Sequence, residues 1–259
     1  MLQQEILYAV FYEKRALMAF HDGGTARDRE MGRMKARRVR EKTTAILEAV
    51  NRKLERYYGK TKMPRCHDPV EVFVRTILSQ NTNDHNSGRA YDELRTRYKT
   101  WEDVAGATPQ DLQDVLKIGG LARRKSVVIL HILHRLLSRG GISLDYIREM
   151  DAEAAEKELL SFPGVGYKTA RCVLLFAFGI DVFPIDTHIY RVLTRLGVLP
   201  AGITRDAASV LLKDKIPRGR SYSLHIHLIA LGREICHPRK PSCQVCPLRK
   251  LCVFAAQGS

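Results

Sequence analysis

Apolar positions recur three and four residues apart along most of the chain, and polar or glycine-containing stretches separate the runs. That period places them on one face of a helix. From about Lys35 to Tyr58, the residues Val39, Thr43, Ile46, Leu47, Val50 and Leu54 share a face, and Arg and Lys fill the opposite one. Asp68-Pro69 reads as an N-cap with Pro at the first helical position. It opens a helix through Val72, Phe73, Ile77 and Leu78. Further helices are predicted over 86–98, 101–106, 109–118, 123–139, 152–160, 167–178, 187–196, 207–215 and 221–235. No segment alternates as a strand would, and there is no internal repeat or low-complexity tract. The pattern predicts an all-α fold. Ahead of these helices, Ile6, Leu7, Val10, Phe11, Leu17 and Met18 predict a short amphipathic helix within residues 1–20. The polar stretch HDGGTARDRE after it reads as a linker. Met31 and Met34 are alternative starts, which sets residues 1–30 apart as an N-terminal extension.

A chain of 259 residues is long enough for one large domain or two smaller ones. No apolar run reaches the roughly 18 residues of a membrane span. The opening MLQQEILYAVFYEKR has no basic leader and no small-residue cleavage site after it. The expectation is an intracellular protein without a membrane partner. With 43 Lys and Arg against 28 Asp and Glu, the formal charge is +15. Such an excess suits a polyanionic partner, because neutralising phosphates releases condensed counterions.

Three segments carry candidate chemistry. In Phe162-Pro163-Gly164-Val165-Gly166-Tyr167-Lys168-Thr169-Ala170 one helix ends and another begins. Its glycines allow a tight turn and close backbone approach. The amides that follow lie at a helix N-terminus, where a DNA phosphate is favoured. Lys168 falls in the first turn, where the helix dipole disfavours an ammonium and favours the free, nucleophilic amine. In Pro184-Ile185-Asp186-Thr187-His188, Asp186 reads as the N-cap of the next helix. A second, catalytic role is geometrically open to it. The helix after Lys168 carries the chain about 18 Å away. The residues before Asp186 can span at most about 23 Å and bring it back. The third segment is Cys236, Cys243, Cys246 and Cys252, spaced C-x6-C-x2-C-x5-C. Four clustered thiols in a chain without secretion signals suit a metal more than disulfides. An iron–sulfur cluster is favoured. Zinc is the alternative, although its sites more often show two short Cys pairs. His237 reads as a bystander. Arg239, Lys240, Arg249 and Lys250 lie in the intervening loops and offer charge to a DNA backbone.

These motifs resemble those of endonuclease III and its relatives in the helix-hairpin-helix-GPD superfamily of DNA glycosylases. PGVGYKTA is similar to the family's hairpin, and Lys168 falls on its catalytic lysine. FPIDTHIYRV is similar to its V-D-T-H stretch, and Asp186 falls on its catalytic aspartate. The four cysteines match its 4Fe–4S spacing. The resemblance covers roughly residues 35–255. It implies two helical modules flanking a DNA-binding cleft. One is a helical barrel over residues 67–180, and the other joins residues 31–66 to 181–259 and the cluster. Leu78-Ser79-Gln80-Asn81-Thr82-Asn83-Asp84 resembles a stretch whose glutamine fills the gap left by a flipped base. Here Gln80 comes one position early and Asn81 takes its place, so both are candidates. Leu121, in the Gly120-Leu121 loop, resembles an apolar wedge, and Gly164, Val165 and Gly166 are the implied phosphate contacts.

The implied activity is base-excision repair. A DNA glycosylase with AP lyase activity would act on duplex DNA carrying a damaged base, an oxidised pyrimidine by family precedent, or an abasic site. The chain is expected to be a monomer, cytoplasmic and nucleoid-associated in a prokaryote or nuclear in a eukaryote. Two other readings stand beside it. One is a monofunctional mismatch glycosylase in which Asp186 activates water. The other is a non-catalytic helix-hairpin-helix DNA-binding protein with a structural metal.

Overall fold

The computed structural model describes residues 26–64 and 68–257. Among them the regular structure is entirely helical. None of these helices is long and apolar enough to cross a membrane. The helix expected within residues 1–20 and the lone Cys66 lie outside the described residues.

The chain divides into two compact units, one over Pro64–Val182 and one from Phe183 onward together with the N-terminal helix. In the first unit the helices are α2 (Pro69–Leu78), α3 (Asp84–Arg97), α4 (Trp101–Ala105), α5 (Pro109–Leu116), α6 (Ala122–Leu137), α7 (Ala152–Leu160) and α8 (Tyr167–Phe178). The second contains α1 (Ala26–Tyr58), α9 (Thr187–Leu196), α10 (Arg205–Leu211), α11 (Ser221–Glu234) and the short α12 (Val253–Ala256).

Local chemistry sets most helix starts. Asp68 accepts from the Val70 amide at 3.0 Å, with Pro69 at the first position. Its second oxygen accepts from Trp101 Nε1 at 2.9 Å, which ties α2 to α4. Thr100 and Asp103 cap α4 reciprocally, and Thr108, Asp151 and Thr204 cap α5, α7 and α10. Asn83 accepts from the Asn86 amide, so α3 begins at Asp84, slightly earlier than periodicity predicts. A larger difference is at α1, which begins at Ala26, inside the stretch read as a linker. Ala, Arg, Glu, Met and Lys dominate the segment from Ala26 to Lys35, and their high helix propensity outweighs its polarity.

In the first unit α2 and α8 pack side by side and are buried on most faces. Phe73 on α2 meets Phe162 edge-on, with ring centroids 5.6 Å apart. Ile129, Ile132, Leu133 and Leu136 of α6 close the same core. In the second unit Leu47, Val50 and Leu54 of α1 pack with Ile189, Val192 and Leu193 of α9 and with Leu224, Leu228 and Leu231 of α11. At Gly232 an added Cβ would lie 2.8 Å from the His188 Cβ, so glycine lets α9 and α11 approach closely.

The turn between α7 and α8 separates two glycines by their physical demands. Gly164 has a left-handed φ of +78°, and an added Cβ would lie 2.7 Å from Val128 Cγ2 on α6. Gly166 has an ordinary φ of −103°, and no atom lies within 4 Å of where its Cβ would be. Gly164→Ala is therefore predicted to destabilise the protein by about 2–4 kcal/mol, because strain and overpacking add. Gly166→Ala should cost less than about 1 kcal/mol, the difference between these residues at an N-cap. Urea denaturation followed by circular dichroism checks both, and equal costs would contradict this packing.

Candidate functional site

The hairpin presents polar backbone at the start of a buried helix. Pro163, Gly164 and Gly166 are exposed, and Val165 turns inward as a plug. Gly166 caps α8 without a side-chain hydrogen bond, and no acidic residue lies in the first turn. The positive end of the α8 dipole is thus left without a carboxylate of its own. The first turns of α8 are anchored from behind. Buried Arg171 donates to Glu156 of α7 at 2.6 Å and stacks over the Tyr167 ring. Lys168 is half-buried in this anchored turn.

Thr169, next to Lys168, distinguishes the two amide candidates. Gln80 Nε2 donates to Thr169 Oγ1 at 3.1 Å, which turns Gln80 toward α8. Asn81 is exposed and has a left-handed φ of 50°, a conformation asparagine tolerates better than most residues. Leu121, at the start of α6, has φ 51° and is 50% exposed. For leucine that conformation costs roughly 1–2 kcal/mol. Among the described residues the only other non-glycine with positive φ is Lys240. Two of these three strained positions are thus residues singled out from the sequence, and such strain concentrates at functional sites.

In the second unit α9 runs from Asp186 toward the cysteine segment. Asp186 is half-buried and caps α9, with Oδ1 accepting from the Ile189 amide at 2.7 Å. Buried His225 contacts the Pro184 carbonyl through Nδ1 at 3.1 Å and fixes the strand of chain before it. Arg191 donates to the Cys236 carbonyl at 2.9 Å and the Gly232 carbonyl at 2.7 Å. One turn on, Arg195 donates to Cys236 Sγ at 3.2 Å and to the carbonyls of His237 and Pro238. It also lies over the Phe254 ring, 4.7 Å from the centroid. Neither arginine was singled out from the sequence. Their spacing of four along α9 was visible, but their target was not.

The four cysteines are free and half-buried. Burial pushes the Cys246 and Cys252 thiols up, and charge on neighbouring cysteines adds to the effect. For Cys246 that charge comes from Cys252, Cys236 and Cys243. Among the described residues no group of three or more His, Cys, Asp or Glu stands as a ready-made site for a metal ion. Cys172 is buried in α8, away from this segment in sequence and in a different unit. The sequence-derived candidates therefore fall into two sets. Lys168, the hairpin, Gln80, Asn81 and Leu121 belong to the first unit, and Asp186 and the four cysteines to the second.

Comparison with known proteins fits these motifs. The model for the HhH-GPD superfamily base excision DNA repair protein matches residues 74–218. Endonuclease III of Thermotoga maritima is 34% identical over 197 residues, covering 74% of this chain and 88% of its own. The Arabidopsis thaliana protein At3g47830, which carries the name of a DNA glycosylase, is 37% identical over 190 residues. That match covers 69% of this chain but spans only 64% of the plant protein. Among solved structures, a trapped endonuclease III–DNA covalent intermediate superposes with a TM-score of 0.70 at 25% identity, over 83% of this chain and 97% of that one. With its helical fold, its hairpin and these relatives, the chain belongs to the HhH-GPD superfamily of base-excision DNA repair proteins and is endonuclease III-like.

Proposed function

We propose that the protein is a bifunctional DNA glycosylase and AP lyase acting on duplex DNA with a damaged base, an oxidised pyrimidine by family resemblance. The observation that carries this reading is Lys168 in the first turn of α8, directly behind the exposed backbone of Gly164 and Gly166. The open space at Gly166 supports a DNA backbone approaching there, since neither its φ nor its packing requires glycine. One of the matching solved endonuclease III structures is a trapped covalent intermediate with DNA.

In this mechanism the hairpin amides hold a backbone phosphate, and the damaged nucleotide leaves the stack, because its reacting atom is inaccessible there. Leu121 and Asn81 fill the space left behind, and Gln80 is held back by Thr169. Lys168 Nζ attacks the anomeric carbon of the deoxyribose. The bond from that carbon to the base breaks, and the base departs with the electron pair and is neutralised by the proton that the amine has released to Asp186. Asp186 takes up the proton lost by the amine and stabilises positive charge on the sugar. The sugar ring opens to an imine, which acidifies the adjacent C2′ hydrogen. Loss of that proton expels the 3′ phosphate, and water then hydrolyses the imine to free Lys168.

Cys236, Cys243, Cys246 and Cys252 suit a 4Fe–4S cluster by their donor set, their spacing and their freedom from disulfides. Bound there, the cluster supplies cross-links that hold the C-terminal loops and a one-electron redox centre. Arg195 offers its Nη1 donor to the first ligand and pins the following carbonyls. Purified protein should be yellow-brown with broad visible absorption, and iron removal should loosen the segment after Cys236. Colourless folded protein with stoichiometric zinc would overturn the assignment.

Two substitutions test the chemistry. Lys168→Gln should abolish the borohydride-trapped complex with abasic-site DNA, because an amide cannot form a reducible imine. Asp186→Asn should keep the α9 cap and hence the stability, since asparagine caps about as well. It should slow base excision by about 10²-fold or more, because asparagine provides neither the charge nor the proton acceptor. Near-normal excision by a stable Asp186→Asn protein would reduce Asp186 to a capping residue.

A further inference from the structure

Lys125 on α6 is only 2% exposed and, among the described residues, has no carboxylate partner. Its Nζ donates to the Leu78 carbonyl at 2.7 Å and the Gly119 carbonyl at 2.8 Å. Leu78 is the last residue of α2, where a helix leaves carbonyls unpaired. Gly119 ends the 3-10 turn Lys117–Gly119 that precedes the Gly120-Leu121 loop. That turn packs closely on α3: an added Cβ on Gly119 would lie 3.0 Å from the Ala90 Cβ.

One buried side chain therefore joins the roots of two loops. From Leu78 the chain leads to Gln80 and Asn81, and from Gly119 it leads to Leu121. Both loops hold a non-glycine residue in the left-handed region just past the tether. Packing alone does not call for a lysine here. Its helical neighbours Ile129, Ile132 and Leu136 are apolar, and an amine buried among neutral groups is harder to desolvate than a methionine of similar length. Burial accordingly holds the Lys125 pKa below its ordinary value.

We infer that Lys125 is a positioning residue for base extrusion, setting the spacing between the Gln80–Asn81 turn and Leu121 so that both enter the duplex as one wedge. The inference rests on the glycosylase reading above. Lys125 touches neither DNA nor the reacting atoms. It acts through the two carbonyls it holds.

The test compares affinity for a duplex with a tetrahydrofuran abasic analogue against the same duplex intact, by fluorescence anisotropy at fixed salt. Lys125→Met, Leu121→Ala and the double variant are each measured well below their melting temperatures. Lys125→Met should lose about tenfold of the preference for the abasic duplex and keep intact-duplex affinity within about twofold, since only the distorted state needs the wedge. The double variant should be no worse than Leu121→Ala, because residues acting as a unit are not additive. A folded Lys125→Met that keeps the full preference, or losses that multiply in the double variant, overturns the inference alone. Wild-type protein that does not distinguish the duplexes overturns the glycosylase reading and the inference with it. Hydrogen exchange on wild-type protein needs no variant. Residues 79–82 and 119–121 should gain protection together on the abasic duplex, and protection of one segment without the other contradicts the shared tether.

Discussion

Three positions along one face of α6 meet the candidate DNA-facing parts of the first unit. Leu121 starts the helix in a left-handed conformation, Lys125 binds the carbonyls of Leu78 and Gly119, and Val128 packs where a Gly164 side chain would be. These positions follow a spacing of four and then three, so they stack above one another. The apolar stripe of the helix, through Ile129, Ile132 and Leu136, is fully buried and fixes its rotation. The Gly120-Leu121 loop, the end of α2 before Gln80 and Asn81, and the hairpin thus all meet one packed helix. Sites carried on packed helices keep their geometry better than sites on free loops.

In the second unit α9 has a comparable part. Asp186 caps its start, and His188, Arg191 and Arg195 follow at intervals of three and four. Arg191 and Arg195 bind the backbone around Cys236, and Arg195 also reaches its sulfur. These bonds tie the helix that begins at Asp186 to the backbone around Cys236. Close packing at Gly232 leaves α9 little room to shift against α11.

Much of this was legible in the sequence, for physical reasons. The helices announced themselves by apolar period and by side-chain caps at Asp68 and Asp186, because those devices act locally. The hairpin and the cysteine spacing were legible because glycines and thiols have few other uses in such patterns. What the sequence hid depends on contacts between distant segments. The hydrogen bond from Gln80 to Thr169, far along the chain, is one such contact, and Asn81 has none like it among the described residues. Lys125 sits in the run Ala122-Arg123-Arg124-Lys125 and resembles any surface lysine. The signal that it is buried was present, since it shares the helical period of Ile129 and Ile132, but its two carbonyl partners lie on other elements. The early start of α1 is carried by helix propensity and not by an apolar face, so apolar period does not reveal it.

The central claim is that one amine, that of Lys168, becomes covalently joined to the sugar. The direct measurement is to incubate the wild-type protein with duplex DNA containing an abasic site, reduce with borohydride, digest, and locate the modified residue by mass spectrometry. The account predicts a single sugar adduct on the peptide containing Lys168. An adduct on any other lysine, or none from protein that binds the duplex, would contradict it.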